Sequence, residues 1–525
     1  MSHKRGLHFY LVLALFVVYL INGVFVIRMN SITSDEMDHW SYGKRILKMQ
    51  PQKIYTYDDA SAMPITSLNA LPRAVVQLMN PGLQKTDGGV SDIMNGRYVT
   101  LLVCLLIGVY IYRWSKELFG EQAGSFSLFL FVFCPDLNAN LTQLGTDAYA
   151  ALFTLSSAYY FRKFILYSGW RYFLFFCIHL GFAQIAKQSL ILLFFFFAAL
   201  ALVLLLKRGT ILKRFKINLT RLVILTLIVL FIINLSYLFN GTGQSLSEYH
   251  FHSGLFQSLQ QKKLISSIPL PLPAPFIDGF DIVKYMLSLG SGHEETSHRS
   301  YLFGKYFTDN SVPYYYSAVL LFKTPLTVLF LLLGVIIVYV KEMLSKESFF
   351  IIGFPLALAV FFLLFFSLFN TSQHSIRHLL MIYPLFYVCL GSVMTWKIFR
   401  SGLSKVILVL YSLATYYFYF PNLISYTNEL IWKKENAYKV LASSNIDSYQ
   451  SAGYLAKYLS MHPEIKIADD TAKAGVFVLG INDYLDLKGS GQFGWLRNFE
   501  PYGHINHCYL LFRITETDLI EKKLK

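Results

Sequence analysis

His8-Phe-Tyr-Leu-Val-Leu-Ala-Leu-Phe-Val-Val-Tyr-Leu-Ile-Asn-Gly-Val-Phe-Val-Ile-Arg28 is an apolar run long enough to cross a bilayer as one helix, which takes about 20 residues. It is too long for a signal-peptide core and no small-residue cleavage site follows it, so the run is expected to remain as a helix. The rest of the chain repeats the pattern. Of 525 residues 55% are hydrophobic, 17% aromatic and only 15% charged, with a mean hydropathy of +0.46. That balance excludes a soluble globular protein and predicts a polytopic α-helical membrane protein. About eleven spans are predicted, at 8–28, 96–113, 120–137, 147–166, 171–187, 189–206, 219–239, 314–340, 349–369, 379–397 and 403–421.

The net charge of +15 does not indicate nucleic acid, because the positive residues sit in short loops between apolar runs. Lys4/Arg5, Arg113/Lys116, Arg162/Lys163/Arg171, the segment from Lys207 to Arg221, Lys341/Lys346 and Lys397/Arg400/Lys405 all fall on one side. The positive-inside rule makes that side cytoplasmic, with the N-terminus inside and the C-terminus outside. Three long segments then lie outside. Residues 29–95 carry a stretch punctuated by Pro64, Pro72 and Pro81, and 240–313 carry Pro269-Leu-Pro-Leu-Pro-Ala-Pro275, expected to be extended and lid-like. Residues 424–525 read as a small external α/β domain beyond a membrane domain at 1–423. It is expected to have a helix at 447–461, a strand at 475–479 and an apolar run at 508–514. The five cysteines lie mostly in apolar spans without paired spacing, so neither a disulfide framework nor a zinc site is indicated.

Just outside the first span stands Thr33-Ser34-Asp35-Glu36-Met37-Asp38-His39-Trp40. At 100° per residue Asp35, Asp38, His39 and Tyr42 share one face of a helix, with Met37, Trp40 and Leu47 near the opposite one. Such a helix would lie along the interface, with Trp40 among headgroups and the acidic face toward protein or water. A plainer reading is a capping box of Thr33 and Glu36, which accounts for Glu36 but not for the Asp35/His39/Tyr42 face.

Further ionisable residues gather at the external ends of spans: Arg97, Asp147 in Leu144-Gly-Thr-Asp-Ala148, Lys187, Lys323 and Arg377-His378. Charges at membrane depth cost roughly 2.5–3.5 kcal/mol on insertion scales, so those retained have partners or work. Asp147 could simply cap its helix, and Lys323 and Arg377 could snorkel to headgroups. Together, though, anions and cations on one side are the inventory of a base and an anion clamp. His293-Glu-Glu-Thr-Ser-His298 places its second histidine one residue late for a zinc helix, and no P-loop lysine follows a glycine-rich turn.

These residues resemble the GT-C glycosyltransferases that use polyprenyl-phosphate-linked sugars, among them the protein O-mannosyltransferases and the lipid A aminoarabinose transferases. The resemblance rests on Asp35-Glu36 after the first span, on Thr146-Asp147-Ala148, and on Tyr301-Leu-Phe-Gly304 with Tyr314-Tyr-Tyr316 and Leu321-Phe-Lys-Thr-Pro325. It continues through Arg377-His-Leu-Leu-Met-Ile-Tyr-Pro384, Tyr426-Thr-Asn-Glu429 and Ser444-Asn-Ile-Asp-Ser-Tyr-Gln450. The set runs in matching order over nearly the whole chain. Two departures stand out: Asp447-Ser-Tyr-Gln450 replaces the Asp-Trp-Gly-Gln common in the family, and Met-Asp-His follows Asp35-Glu36.

The resemblance implies transfer of a sugar from a polyprenyl-phosphate donor to a lipid, glycan or protein hydroxyl at the external face of a membrane, in bacteria the periplasmic face of the inner membrane. In that scheme Asp35 is the base, Glu36 orients the site and Asp147 places the acceptor or supports Asp35. Lys187, Lys323, Arg377, His378 and Arg97 hold the donor phosphate, while His39 and Tyr42 shape the acceptor side. The displacement inverts the anomeric carbon and requires no metal or other cofactor. A transporter or flippase of a lipid-linked or small anionic substrate is the alternative. Against it, the ionisable groups lie at external helix ends and not at the midplane, and no repeat symmetry is visible.

Overall fold

The computed structural model describes residues 2–54, 58–80, 89–206, 219–292, 299–308, 311–343 and 349–524. The His293–His298 motif and part of the basic segment from Lys207 to Arg221 lie outside them. The chain is an integral membrane protein built mainly of helices. α1 (Ser2–Met29) is followed by α2 (Glu36–Leu47), α3 (Ser67–Met79), α4 (Val90–Phe119), α5 (Glu121–Val132), α6 (Pro135–Leu141), α7 (Asp147–Tyr167) and α8 (Trp170–Ala186). Helices occur at each of the apolar stretches, but fewer than eleven are long and apolar enough to cross a membrane alone. Among the described residues five pass, at His8–Met29, Val90–Phe119, Leu219–Ser236, Phe349–Phe369 and Ile376–Thr395, and a bent pair makes a sixth.

Two of the expected spans are broken, both at proline. Residues 314–340 form Tyr315–Lys323 and Leu326–Val340, bent by 117°. Thr324, before Pro325, is extended (ψ 134°), as the clash of a proline ring with the preceding residue demands. Likewise α5 stops at Val132 and Pro135 opens α6, with Cys134 extended between them. The 269–275 segment is non-helical as far as Pro273, which is extended (φ −71°, ψ 144°). It leads into a helix, Ala274–Leu289, with Pro275 in the first turn where a missing N–H does no harm.

At the centre lies the rod Ile376–Thr395, of which 83% is buried. It packs so closely on α4 and α5 that a Cβ on Gly391 would meet the Ser115 Oγ at 1.9 Å. Arg97 and Glu117 sit at opposite ends of α4, about 30 Å apart at 1.5 Å per residue. At the far end the basic residues meet acids: Lys163 pairs with Glu117 at 2.7 Å and Lys116 with Glu121 at 2.9 Å.

Over the other end lies the C-terminal region. Its sheet has the order β3 (Ile465–Ile467), β4 (Gly475–Gly480), β6 (Tyr509–Ile514), β5 (Gly503–Ile505), parallel between β3 and β4 and antiparallel elsewhere. The helix expected from 447 begins later, at Ala452, and runs to Met461. A hairpin of β1 (Ser300–Leu302) and β2 (Lys305–Phe307) fastens this region to the 240–313 segment. Leu302 bridges to Leu441, and the Tyr306 hydroxyl donates to the Leu485 carbonyl at 2.6 Å.

Candidate functional site

A cavity of about 530 Å³ opens where α2, the start of α7, the loop before Ile376 and the turn 443–449 meet. Along one side runs a row of alternating charge. Lys187 Nζ donates to Asp147 Oδ1 at 2.6 Å, and Arg377 Nε donates to Asp147 Oδ2 at 3.1 Å. Arg377 Nη1 then donates to Asp35 Oδ2 at 2.8 Å, and the Ser34 hydroxyl donates to Asp35 Oδ1 at 2.9 Å. Side-chain exposure along the row is 15% at Lys187, 9% at Asp147, 18% at Arg377 and 45% at Asp35, so Asp35 is its most open member.

Local backbone breaks place each member. Lys187 follows the last residue of α8 in an extended conformation (φ −159°, ψ 134°), before a 3₁₀ turn at Gln188–Ile191. Arg377 sits in the first turn of a 3₁₀ helix, Ile376–Ile382, whose Ser375 hydroxyl accepts from the Arg377 N–H at 3.2 Å. Asp147 begins α7, but its oxygens are taken by the two cations and not by helix N–H groups, so it is no cap. His39 faces Gly145 of the same turn, where a Cβ would lie 3.4 Å from its Cδ2. His378 lines the cavity, with its ring against Phe366 and Tyr316.

The environments of the acids on α2 differ. Burial alone would raise the Asp35 carboxyl, but Arg377, then His39 and the Ser34 hydroxyl, outweigh it and hold it at about 2. One turn on, Asp38 is pushed up to about 7 by burial and by the charges of Asp58, Asp35 and Asp59. Burial lowers His39 to about 4, leaving it neutral at ordinary pH.

Four of the sequence-derived site residues lie elsewhere. Glu36 is buried beneath the site, with both carboxylate oxygens filled. Oε1 accepts from Arg97 Nε at 2.7 Å and the Leu144 N–H at 2.8 Å. Oε2 accepts from Arg97 Nη2 at 2.5 Å, and from the N–H and hydroxyl of Thr33 at 2.7 and 3.0 Å. Only half of the capping box forms, since Glu36 accepts from Thr33 but the helix lacks a side-chain cap at its start. Arg97 spends its remaining donors on the carbonyls of Ile27, Asn30 and Ser31. The pair pins the ends of α1, α2 and α4 to the turn before α7, and neither member lines the cavity. Lys323, expected at the donor phosphate, is 1% exposed. It pairs with Asp136 at 2.9 Å and donates to the carbonyls of Ile424, Tyr426 and Asn445 at 2.7–2.8 Å. Tyr42 is buried, its hydroxyl on the Pro51 carbonyl at 2.8 Å. Trp40 is not at a headgroup layer either, being 2% exposed among Ala70, Ile93 and Leu144.

The sequence reading singled out Ser444–Gln450 as a motif but gave it no place in the site, where it forms the opposite wall. Ser443, Ser444, Asp447, Ser448, Tyr449 and Asn482 line it, all from the C-terminal region. Burial pushes Asp447 up to about 6, against the Tyr449 N–H that it accepts at 2.9 Å. Tyr449 has φ +67°, a left-handed conformation that costs a side-chain-bearing residue roughly 1–3 kcal/mol and gathers at functional sites. Among the described residues no three His, Cys, Asp or Glu side chains converge on one point as metal ligands would.

Fold and site together give a membrane protein with a row of cations and carboxylates at one end of its helices, under a small α/β cover. Residues 89–236 match the family described as dolichyl-phosphate-mannose-protein mannosyltransferase. No curated protein sequence matches the chain. The crystal structure of ArnT from Cupriavidus metallidurans bound to undecaprenyl phosphate aligns over 96% of this chain and 97% of that one, with TM-score 0.51 and 11% identity. AglB, the archaeal oligosaccharyltransferase from Archaeoglobus fulgidus in complex with an inhibitory peptide and a dolichol-phosphate, aligns over 88% of this chain and 55% of that one, with TM-score 0.45 and 14% identity. The ArnT-like GT-C fold read from the sequence is thus the fold observed, and the family match over α4 to the helix Leu219–Ser236 agrees with it.

Proposed function

We propose that this chain transfers a sugar from a polyprenyl-phosphate donor to an acceptor hydroxyl at the external face of the membrane, in a bacterium the periplasmic face of the inner membrane. The observation that carries the reading is the row Lys187–Asp147–Arg377–Asp35, two cations and two carboxylates sharing one cavity. A sugar on a phosphate diester already has a good leaving group, so the protein must supply a base for the acceptor and charge for the departing phosphate.

Arg377 and Lys187 receive the phosphate, with His378 beside them. As Arg377 turns to the phosphate it leaves Asp35, whose lowered pKa depends on that guanidinium. Asp35 thereby becomes a stronger base as the donor binds. The acceptor oxygen then forms its bond to the anomeric carbon from the face opposite the phosphate. The carbon–oxygen bond to phosphate breaks with its electron pair leaving on the phosphate, and the hydroxyl proton passes to Asp35. Asp147 keeps Lys187 and Arg377 in register, and His39 closes the acceptor side as a neutral ring. The scheme inverts the anomeric centre and routes no step through a metal.

The test is transfer of labelled sugar from a polyprenyl-phosphate pool in membranes containing the protein. Glycosylated product above that of membranes lacking the chain supports the reading. Movement of the lipid-linked sugar across the membrane without product would replace it with a flippase.

A further inference from the structure

The two walls of the cavity differ in chemistry. One is charged, the row just described. The other, from the C-terminal region, carries Asp447 and Lys488 but is otherwise uncharged and polar, through Ser444, Ser448 and Asn482, with Ser372 and Ser375 beside it. Among the described lining residues Tyr449 carries the only phenol or phenyl ring. It is 45% exposed, while Asp447, Ser448 and Gln450 on either side are at most 5% exposed.

The backbone around the ring is held on every side. The Tyr449 N–H donates to Asp447 Oδ1 at 2.9 Å and the Ser448 N–H to Gln450 Oε1 at 2.7 Å. Gln450 Nε2 donates to the Ile446 carbonyl at 2.9 Å and to Asn422 Oδ1 at 3.1 Å. The Gln450 carbonyl accepts the Ser31 N–H at 2.8 Å, and the Ser31 hydroxyl accepts from the Gly453 N–H at 2.8 Å. The turn is therefore fastened to the residues just before Asp35, and the Ser448 and Ser34 hydroxyls stand 3.5 Å apart. A strained, non-glycine turn so firmly held, with its one large side chain left in the cavity, is built to present that side chain.

Resting on the function proposed above, we infer that Tyr449 is a specificity-determining residue of the donor site: its ring face stacks on the C–H face of the transferred sugar. The hydroxyls and amides around it take the sugar's own hydroxyls, while Arg377 and Lys187 take the phosphate. Charge then selects the carrier, and the C-terminal turn selects what the carrier bears. A ring-face contact beyond simple burial corresponds to roughly three- to tenfold in affinity.

The experiment compares wild type, Tyr449→Phe and Tyr449→Gly, each purified from the same membranes. Native mass spectrometry resolves their retained polyprenyl-phosphate lipids into bare and glycosylated forms. Tyr449→Phe should keep the wild-type ratio of glycosylated to bare carrier. Tyr449→Gly should lower it about three- to tenfold while total carrier is unchanged. Because glycine adopts φ +67° without strain, its melting temperature should stay level or rise. An unchanged ratio in Tyr449→Gly overturns the inference. So does a Tyr449→Phe variant that behaves like Tyr449→Gly, because the hydroxyl and not the ring would then be the contact, and so does a lowered melting temperature with both lipid forms lost together. Absence of any polyprenyl phosphate on wild type is a different failure, since it removes the donor reading itself and the inference with it.

Discussion

Replacing Glu36 by glutamine separates a structural acid from a catalytic one. Glu36 is 1% exposed and Arg97 2%, and the carboxylate accepts five hydrogen bonds from Arg97, Thr33 and the Leu144 N–H. Glutamine keeps the shape but turns one oxygen into an NH₂ that faces donors from Arg97 and its neighbours. It also leaves the guanidinium buried without its counter-charge. Breaking a buried pair from one side costs about 3–5 kcal/mol, a large part of a typical total stability of about 5–15 kcal/mol. The expected result is a markedly lower melting temperature in detergent and a reduced folded yield. The fraction that does fold should retain turnover within a few-fold of wild type. Glu36→Met with Arg97→Met should recover much of the lost stability, because replacing both partners by apolar groups removes the stranded charge. A Glu36→Gln protein with unchanged melting temperature and abolished transfer would refute this assignment and return Glu36 to the chemistry.

Three further outcomes are expected. Lys323→Met should destabilise the protein and loosen the C-terminal region, read as faster proteolysis after residue 424, with Asp136→Leu added in the same chain restoring much of the loss; selective loss of carrier lipid with normal stability would place Lys323 at the phosphate instead. Lys187→Ala should reduce retained polyprenyl phosphate about tenfold or more, since a charge-assisted bond to phosphate is about twice as strong as a neutral one; unchanged retention would remove it from the clamp. The raised Asp38 carboxyl binds its proton more tightly folded than unfolded, so its contribution is fully present below pH ~4 and is lost as pH rises through about 7. Asp38→Asn should therefore raise the melting temperature at pH 8 while leaving that at pH 4 nearly unchanged; an equal shift at both would show that its charge is not the cause.

The membrane character was legible because it is written in composition and run length, which need no tertiary information. The acidic face of α2 was legible for the same reason, as Asp35, Asp38 and His39 share a face at helical spacing and all three line the cavity. Charges could be located at helix ends but not paired. Nothing local distinguishes Lys187, which meets Asp147 forty residues away, from Lys323, which meets Asp136 beneath the C-terminal region. Asp136 itself lay unremarked inside an apolar stretch, although a lone carboxylate at that depth calls for a cation. The proline breaks at 134–135 and 324–325 were readable from the pre-proline rule, but run-length reading passed over them. The C-terminal wall was the hardest part: Ser444–Gln450 stood out as a motif, but its place in the site depends on a left-handed turn at Tyr449 and on long-range bonds to Ser31, neither of which has a sequence signature.

The central claim is that the row ending at Asp35 carries out the transfer, and Asp35→Asn tests it most directly. The amide keeps the size of the side chain and its place beside Ser34, but cannot take a proton from the acceptor at neutral pH. With polyprenyl-phosphate sugar loaded on both proteins, the account predicts donor retention equal to wild type and a single-turnover transfer rate lower by about 10²–10⁴-fold. Transfer by Asp35→Asn within a few-fold of wild type, at equal donor loading, would contradict it.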